Sequence, residues 1–186
     1  MKEILISIQP QWVEKILNGE KTIEIRKTMP MCELPCKVYI YCTKGKEEQY
    51  TPPLSDTNYE HAFGYIMNGK VVAEFTLNKV EPFSVGSLRC DDIQKLACLS
   101  CEQVIDYFYK PNELDGSHIK WGYAWNIDNL KIYDIPKELS EFGQKCTNAN
   151  EIHCRDCKYV KWDSCCKIMS KPLKRPPQSW CYVEKE

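Results

Sequence analysis

The chain has 186 residues, with 25 Lys or Arg against 26 Asp or Glu, a formal charge of −1 and a pI near 6.3. At 43% hydrophobic and 27% charged, it is too apolar to be disordered as its main state, and it can build the core of one ordinary domain with an appendage. The longest apolar runs, such as Val38 to Cys42, fall far short of the ~18–20 residues that span a bilayer, and no apolar leader segment opens the chain, so a cytoplasmic location is expected.

The opening reads strand, helix, strand. Glu3 to Ile8 is β-rich, and Pro10 suits a first helical turn, where its missing N–H costs nothing. Trp12, Val13, Ile16 and Leu17 form one apolar helical stripe, and Asn18-Gly19 is a stop signal. From Thr22 to Arg26 the pattern alternates, placing Ile23 and Ile25 on one face and Thr22, Glu24 and Arg26 on the other. Lys37 to Thr43 and Val71 to Leu77 read as strands, separated by a polar stretch from Lys44 to Lys70 that reads as a long loop or excursion. Asp91 to Tyr109 reads helical, and Ser100 with Gln103 makes a capping box inside it, which predicts two short helices or a kink. Tyr123 to Tyr133 reads as one strand or as two meeting near Asp128-Asn129. Several strands with few helices predict a mostly β, α+β architecture: a small β-barrel with helical decoration over residues 1–138. Residues 139–150 are expected to be a linker and 151–186 a separate tail.

The segment from Leu17 to Arg26 carries the chemistry. It sets a cation at a strand start, then a carboxylate and a guanidinium two residues apart on one face. Arg26 suits bidentate binding of a phosphate or carboxylate. Lys21 suits a point charge or, once desolvated, a base or nucleophile. The plainer alternative is a solvated strand face with an ordinary Glu-Arg pair.

The pattern Gly-x-Lys-x-Ile-Glu-x-Arg over Gly19 to Arg26, preceded by an amphipathic helix and the Ile6-Ser7-Ile8 strand, resembles the signature of the ASCH domain, a family of the PUA-like superfamily. The likeness covers residues 1 to about 138 and is nearest to small ASCH proteins of phages and prophages of Gram-positive bacteria. It implies a PUA-like β-barrel and recognition of RNA or a nucleotide-like ligand in a cleft lined by Lys21, Thr22, Glu24 and Arg26. One branch of the family hydrolyses the amide of N4-acetylcytidine with a Lys, a Thr two residues before the Arg, and a more distant Glu. Here Lys21 matches the Lys, the Thr position is Glu24, and Glu102 is the nearest candidate for the distant acid. If the chain is an enzyme, Lys21 and Glu24 are its catalytic candidates. Glu24 could act as a general base toward water, or accept from the amino edge of a base.

Twelve cysteines are about 6% of the chain, below the ~8–10% of a disulfide scaffold. Six of them crowd the last 41 residues. The run Cys154-x2-Cys157-x7-Cys165-Cys166-x14-Cys181 has the spacing that lets thiolates chelate one tetrahedral Zn²⁺. Cys154, Cys157, Cys166 and Cys181 are the expected ligands, with Cys165 as a substitute for Cys166 and His153 as a weaker one. A structural zinc would supply folding energy that a tail without hydrophobic period lacks. The alternative is a disordered tail of free thiols. Cys32-x3-Cys36 and Cys98-x2-Cys101 read as small hydrophobes rather than ligands.

Eight Lys or Arg against five Asp or Glu give the tail a formal +3, or about +1 once four thiolates hold Zn²⁺. With a chain pI near 6.3, broad electrostatic DNA binding is disfavoured, while recognition of a nucleotide or short RNA element in one cleft is compatible. Three functions stay open: an RNA- or nucleotide-recognition module, an amidohydrolase acting on a modified nucleoside, and a phage accessory protein that binds a host protein.

Overall fold

The structure, a computed structural model, describes residues 3–45, 50–51, 65–86, 88–110, 113, 119–144 and 171–185. Among these, twelve strands and two α-helical hairpin arms join the N-terminal helix, in the order β1 (Glu3–Ile8), α1 (Pro10–Leu17), β2 (Ile23–Arg26), β3 (Cys36–Cys42), β4 (Tyr50–Thr51), β5 (Tyr65–Ile66), β6 (Val71–Leu77), β7 (Val80–Ser84), α2 (Leu88–Leu96), α3 (Cys101–Phe108), β8 (Trp121–Asn126), β9 (Asp128–Lys137), β10 (Phe142–Gln144), β11 (Lys171–Pro172) and β12 (Trp180–Lys185). The mostly β architecture with a few helices matches the expectation.

A seven-stranded sheet runs β11-β10-β12-β1-β3-β6-β9, and a three-stranded sheet runs β2-β8-β7. In the large sheet β1 and β3 are parallel, joined by a crossover that contains α1 and β2; the other pairings are antiparallel. Side chains alternate across β1. Ile4, Ile6 and Ile8 join Val13 and Ile16 of α1, Val38 and Ile40 of β3, Phe75 of β6 and Trp125 of β8 in one core, while Leu5 joins Tyr39, Phe142 and Val183 on the opposite face. A further core packs Ile23, Ile25 and Ala124 of the small sheet against Ala97 beside α2 and against Val104 and Phe108 of α3.

Local signals explain several of these elements. Pro10 opens α1, and Gly19, just past its end, takes a positive φ of 75°, a conformation that favours glycine. The Ser100–Gln103 capping box begins α3, separating it from α2 as expected. Asn129, at φ 50°, sits just past the change from β8 to β9.

The sheet also runs past residue 138. Phe142–Gln144, expected in a linker, and Trp180–Lys185, expected in a tail, are strands that pair with each other, and β12 pairs with β1. Phe142 is fully buried, and its ring meets Tyr39 edge-on at 4.7 Å between centroids. The alternation Trp180, Cys181, Tyr182, Val183 explains β12: Trp180 and Tyr182 pack on the α1-side core, Cys181 and Val183 on the other.

Candidate functional site

β2 places Glu24 and Arg26 on the face opposite Ile23 and Ile25, as its alternation requires. That face is not open to solvent. It is turned into the layer between the two sheets, where Glu24 sits opposite the core residue Trp125 in the β2–β8 register. Lys21, Glu24 and Arg26 are 3%, 8% and 7% exposed, so the solvated strand face is overturned. The three charges form a chain: the Lys21 Nζ lies 3.3 Å from one Glu24 carboxylate oxygen, and the Arg26 Nη2 lies 3.1 Å from the other.

Each cation is also tied to the scaffold. Lys21 Nζ donates to the Ala97 carbonyl at 2.7 Å, just beyond the end of α2, and lies 5.7 Å from the centre of the Trp12 ring. Arg26 Nη2 donates to the Ser7 carbonyl at 2.7 Å and Nη1 to the Ser179 hydroxyl at 3.3 Å. Ser7 in turn donates its hydroxyl to the Pro177 carbonyl and its N–H to the Ser179 carbonyl. The array therefore draws on β2, the start of α1, the end of α2, β1 and the segment entering β12. Among the described residues, Arg26 Nε is buried without a hydrogen-bond partner, as is Trp125 Nε1. Two cations and one carboxylate leave the array one positive charge in excess, with an unused donor on its guanidinium, and buried charge of this kind calls for a counter-anion or an acceptor oxygen.

The other expected residues fall elsewhere. Thr22 is exposed; its backbone is fixed by bonds to Leu96 and Ile127 while its side chain lies at the surface. Glu102 is exposed on the first turn of α3, and the acid that touches Lys21 is Glu24. Cys181 is half-buried in β12 against the Tyr39–Phe142 core, and burial pushes its thiol up to about 11. Cys154, Cys157, Cys165, Cys166 and His153 lie outside the described residues. Cys32 and Cys36 bring their sulfurs to 3.4 Å, and burial pushes the Cys36 thiol up to about 12. Sequence reasoning missed Ser7, Trp12, the Ala97 carbonyl and Ser179, because their roles come from long-range register and not from any local pattern.

Beyond Arg26 the protein opens into a groove of about 360 Å³, lined by Lys27, by Asp106 to Lys110 at the end of α3, and by Glu113, Lys120 and Trp121. Gly122 lets α3 approach β8. A methyl group there would meet the Phe108 and Phe83 rings at 2.5 and 2.6 Å. Desolvation pushes the Tyr107 phenol up, and the nearby Arg26 guanidinium opposes it, so Tyr107 connects the groove to the array.

No family model matches the chain. An ASCH domain-containing ribonuclease of Zymomonas mobilis is 37% identical over 43 residues, a stretch that covers 23% of this chain and 29% of the relative. Among solved structures, the crystal structure of ASCH from Zymomonas mobilis superposes with a TM-score of 0.55 at 20% identity, over 99% of this chain and 89% of that one. A single-substitution (Tyr to Phe) variant of the Zymomonas protein superposes with a TM-score of 0.54 at 18% identity, over 100% and 92%. Together with the Gly19 to Arg26 signature, these likenesses give the chain the fold of the ASCH family.

Proposed function

We propose that this chain recognises RNA, through one nucleotide unit, at the Lys21–Glu24–Arg26 array. The observation that carries the reading is that, among the described residues, the array has a buried excess of one positive charge beside an Arg26 Nε without a hydrogen-bond partner. A phosphate or base carbonyl oxygen supplies the missing acceptor, and a planar guanidinium is well suited to receive it. One of the relatives, over a 43-residue stretch, is an ASCH domain-containing ribonuclease, which supports RNA as the ligand class.

The test is a titration of labelled single-stranded RNA at two salt concentrations with wild type, Lys21→Met and Arg26→Gln, each first shown to be folded by circular dichroism. At least tenfold weaker binding in both folded variants is the expected result. Unchanged binding in both overturns the reading.

A hydrolytic reading draws on the 3.3 Å contact between Lys21 and Glu24, a cation and a carboxylate able to orient a water and stabilise developing negative charge. Its two substrate classes are the phosphodiester and the amide of a modified nucleoside such as N4-acetylcytidine. Incubating both with wild type and Lys21→Met separates them, and absence of Lys21-dependent product from either removes the enzyme. A chain that binds neither RNA nor nucleoside but retains a host protein would leave the accessory-protein reading.

For the tail, the spacing of Cys154, Cys157, Cys165, Cys166 and Cys181 supports one structural Zn²⁺. Cys181 would anchor it to β12, and binding would have to displace the proton that burial holds on that thiol. About one zinc per chain, lost in Cys157→Ser, is expected; a metal-free protein with its tail folded overturns it.

A further inference from the structure

The groove beyond Arg26 has a composition that the array does not explain. Trp121 is 58% exposed and Tyr107 is 37% exposed, although large aromatic side chains usually bury most of their surface. Lys27 holds its ammonium 4.9 Å from the centre of the Tyr107 ring, and Lys120 holds its own 5.9 Å from that of Tyr109. Two of the groove's lysines therefore each lie near an aromatic ring, at distances where the ring quadrupole attracts the charge.

The charge balance favours an anion. Three lysines, Lys27, Lys110 and Lys120, line the groove against Asp106 and Glu113. Glu113 is already engaged, by Lys120 at 3.3 Å and by the Lys110 N–H at 3.1 Å. Those bonds hold its carboxyl below the usual range, so it does not neutralise a further cation. The volume, about 360 Å³, falls within the ~300–1,000 Å³ of small-ligand sites.

We propose that this groove stacks a base of single-stranded RNA on Trp121 and Tyr107, with Lys27 on the adjoining phosphate. The proposal rests on the reading of the array as the neighbouring nucleotide site. A base can lie on an indole only when it is unstacked from its own helix, so duplex RNA is excluded by the same geometry. No base-specific donor set is implied; stacking tolerates every base because each has a π-face.

The experiment titrates a labelled oligouridylate, and a duplex RNA of equal length, into wild type, Trp121→Ala, Trp121→Phe, Lys27→Gln and Arg26→Gln. Trp121→Ala is expected to weaken single-strand binding by about tenfold, within the span of base–aromatic stacking. Trp121→Phe, which keeps a ring, is expected to retain most of the affinity. Lys27→Gln is expected to lower the slope of log affinity against log salt by about 0.7, the value for one phosphate contact on a single strand. Wild-type affinity in Trp121→Ala together with a loss in Arg26→Gln overturns the groove and leaves the array standing. The reverse pattern overturns the array and leaves the groove. Tighter binding of the duplex also overturns the groove, and no binding by wild type overturns both.

Discussion

The array between the sheets and the groove beside α3 are neighbours, yet they treat charge in opposite ways. In the array, three charged groups are removed from water and their positions are fixed by one another and by backbone carbonyls. In the groove, lysines stand over aromatic rings at an open surface. The first arrangement ties the proposed ligand contact to folding through Glu24, whose loss would strand both cations at once. The second can change affinity with little effect on the fold. Substitutions sort these two roles experimentally.

The sharpest break comes from Glu24→Gln. It would leave Lys21 and Arg26 buried within reach of one another's field with no carboxylate between them. Breaking a buried pair in this way costs about 3–5 kcal/mol. For a chain of this size each kcal/mol is worth ~2–4 °C, so thermal unfolding followed by circular dichroism should show a drop on the order of 10 °C. The double variant Lys21→Met with Glu24→Gln should recover part of that loss, because one stranded cation is gone. A melting temperature unchanged by Glu24→Gln would mean that the contacts of Glu24 with Lys21 and Arg26 contribute little to folding.

The next largest effect is expected on the wall shared by core and groove. Gly122→Ala would drive a methyl group against the Phe108 and Phe83 rings, both buried. Overpacking of a filled core costs about 1–3 kcal/mol, and α3 would have to move outward from β8. RNA affinity should fall with stability here, since α3 carries Tyr107. Urea unfolding measures the cost, and a neutral substitution would show that the rings yield freely.

A pH series addresses the interior as a whole. Burial pushes the Cys42 thiol up to about 12 and raises the phenols of Tyr39 and Tyr133, which donate to Glu3 and Glu74. A group whose folded pKa is raised contributes its full stability below the unfolded value and loses it as pH climbs toward the folded one. With unfolded values of about 8.5 for Cys and 10 for Tyr, the melting temperature should hold level to about pH 8.5 and then decline toward pH 12. A level curve through that window would show these groups ionising within the fold. Alkylation at pH 8 gives the same contrast chemically: Cys101, exposed on α3, should react long before the fully buried Cys42.

Much of this layout could be read from particular residues. Pro10, the Trp12–Leu17 stripe and Gly19 define α1, and the alternation of Ile23 and Ile25 gives the correct two faces for β2. Ser100 and Gln103 mark the start of α3. These are local signals, set by dihedral preferences and by spacing along a single element. What escaped depends on pairing between distant segments. The burial of Lys21, Glu24 and Arg26 arises because Ser7 and Ser179, 172 positions apart in the chain, meet at Arg26; three charges on a short strand otherwise read as a wet face. The strand Trp180–Lys185 stands among cysteines and a proline run whose spacing suits metal chemistry, and only its alternation marks it as a strand. The groove had no sequence pattern, because Lys27, Tyr107 and Trp121 come together only through the packing of α3 on β8.

The smallest expected effect is also the one that decides whether the two regions are truly separate. Trp121→Ala removes an indole that is more than half exposed, and surface substitutions away from caps, turns and buried networks usually change stability by less than ~0.5 kcal/mol. Its urea midpoint should therefore match wild type while its RNA affinity falls. A marked loss of stability would show that the indole serves packing, and any accompanying loss of affinity would then follow from the fold. Stability and affinity should move together in the array, where the proposed binding groups are also the structural ones. In the groove they should part, because an aromatic face left in water contributes little to folding and is free to receive a base.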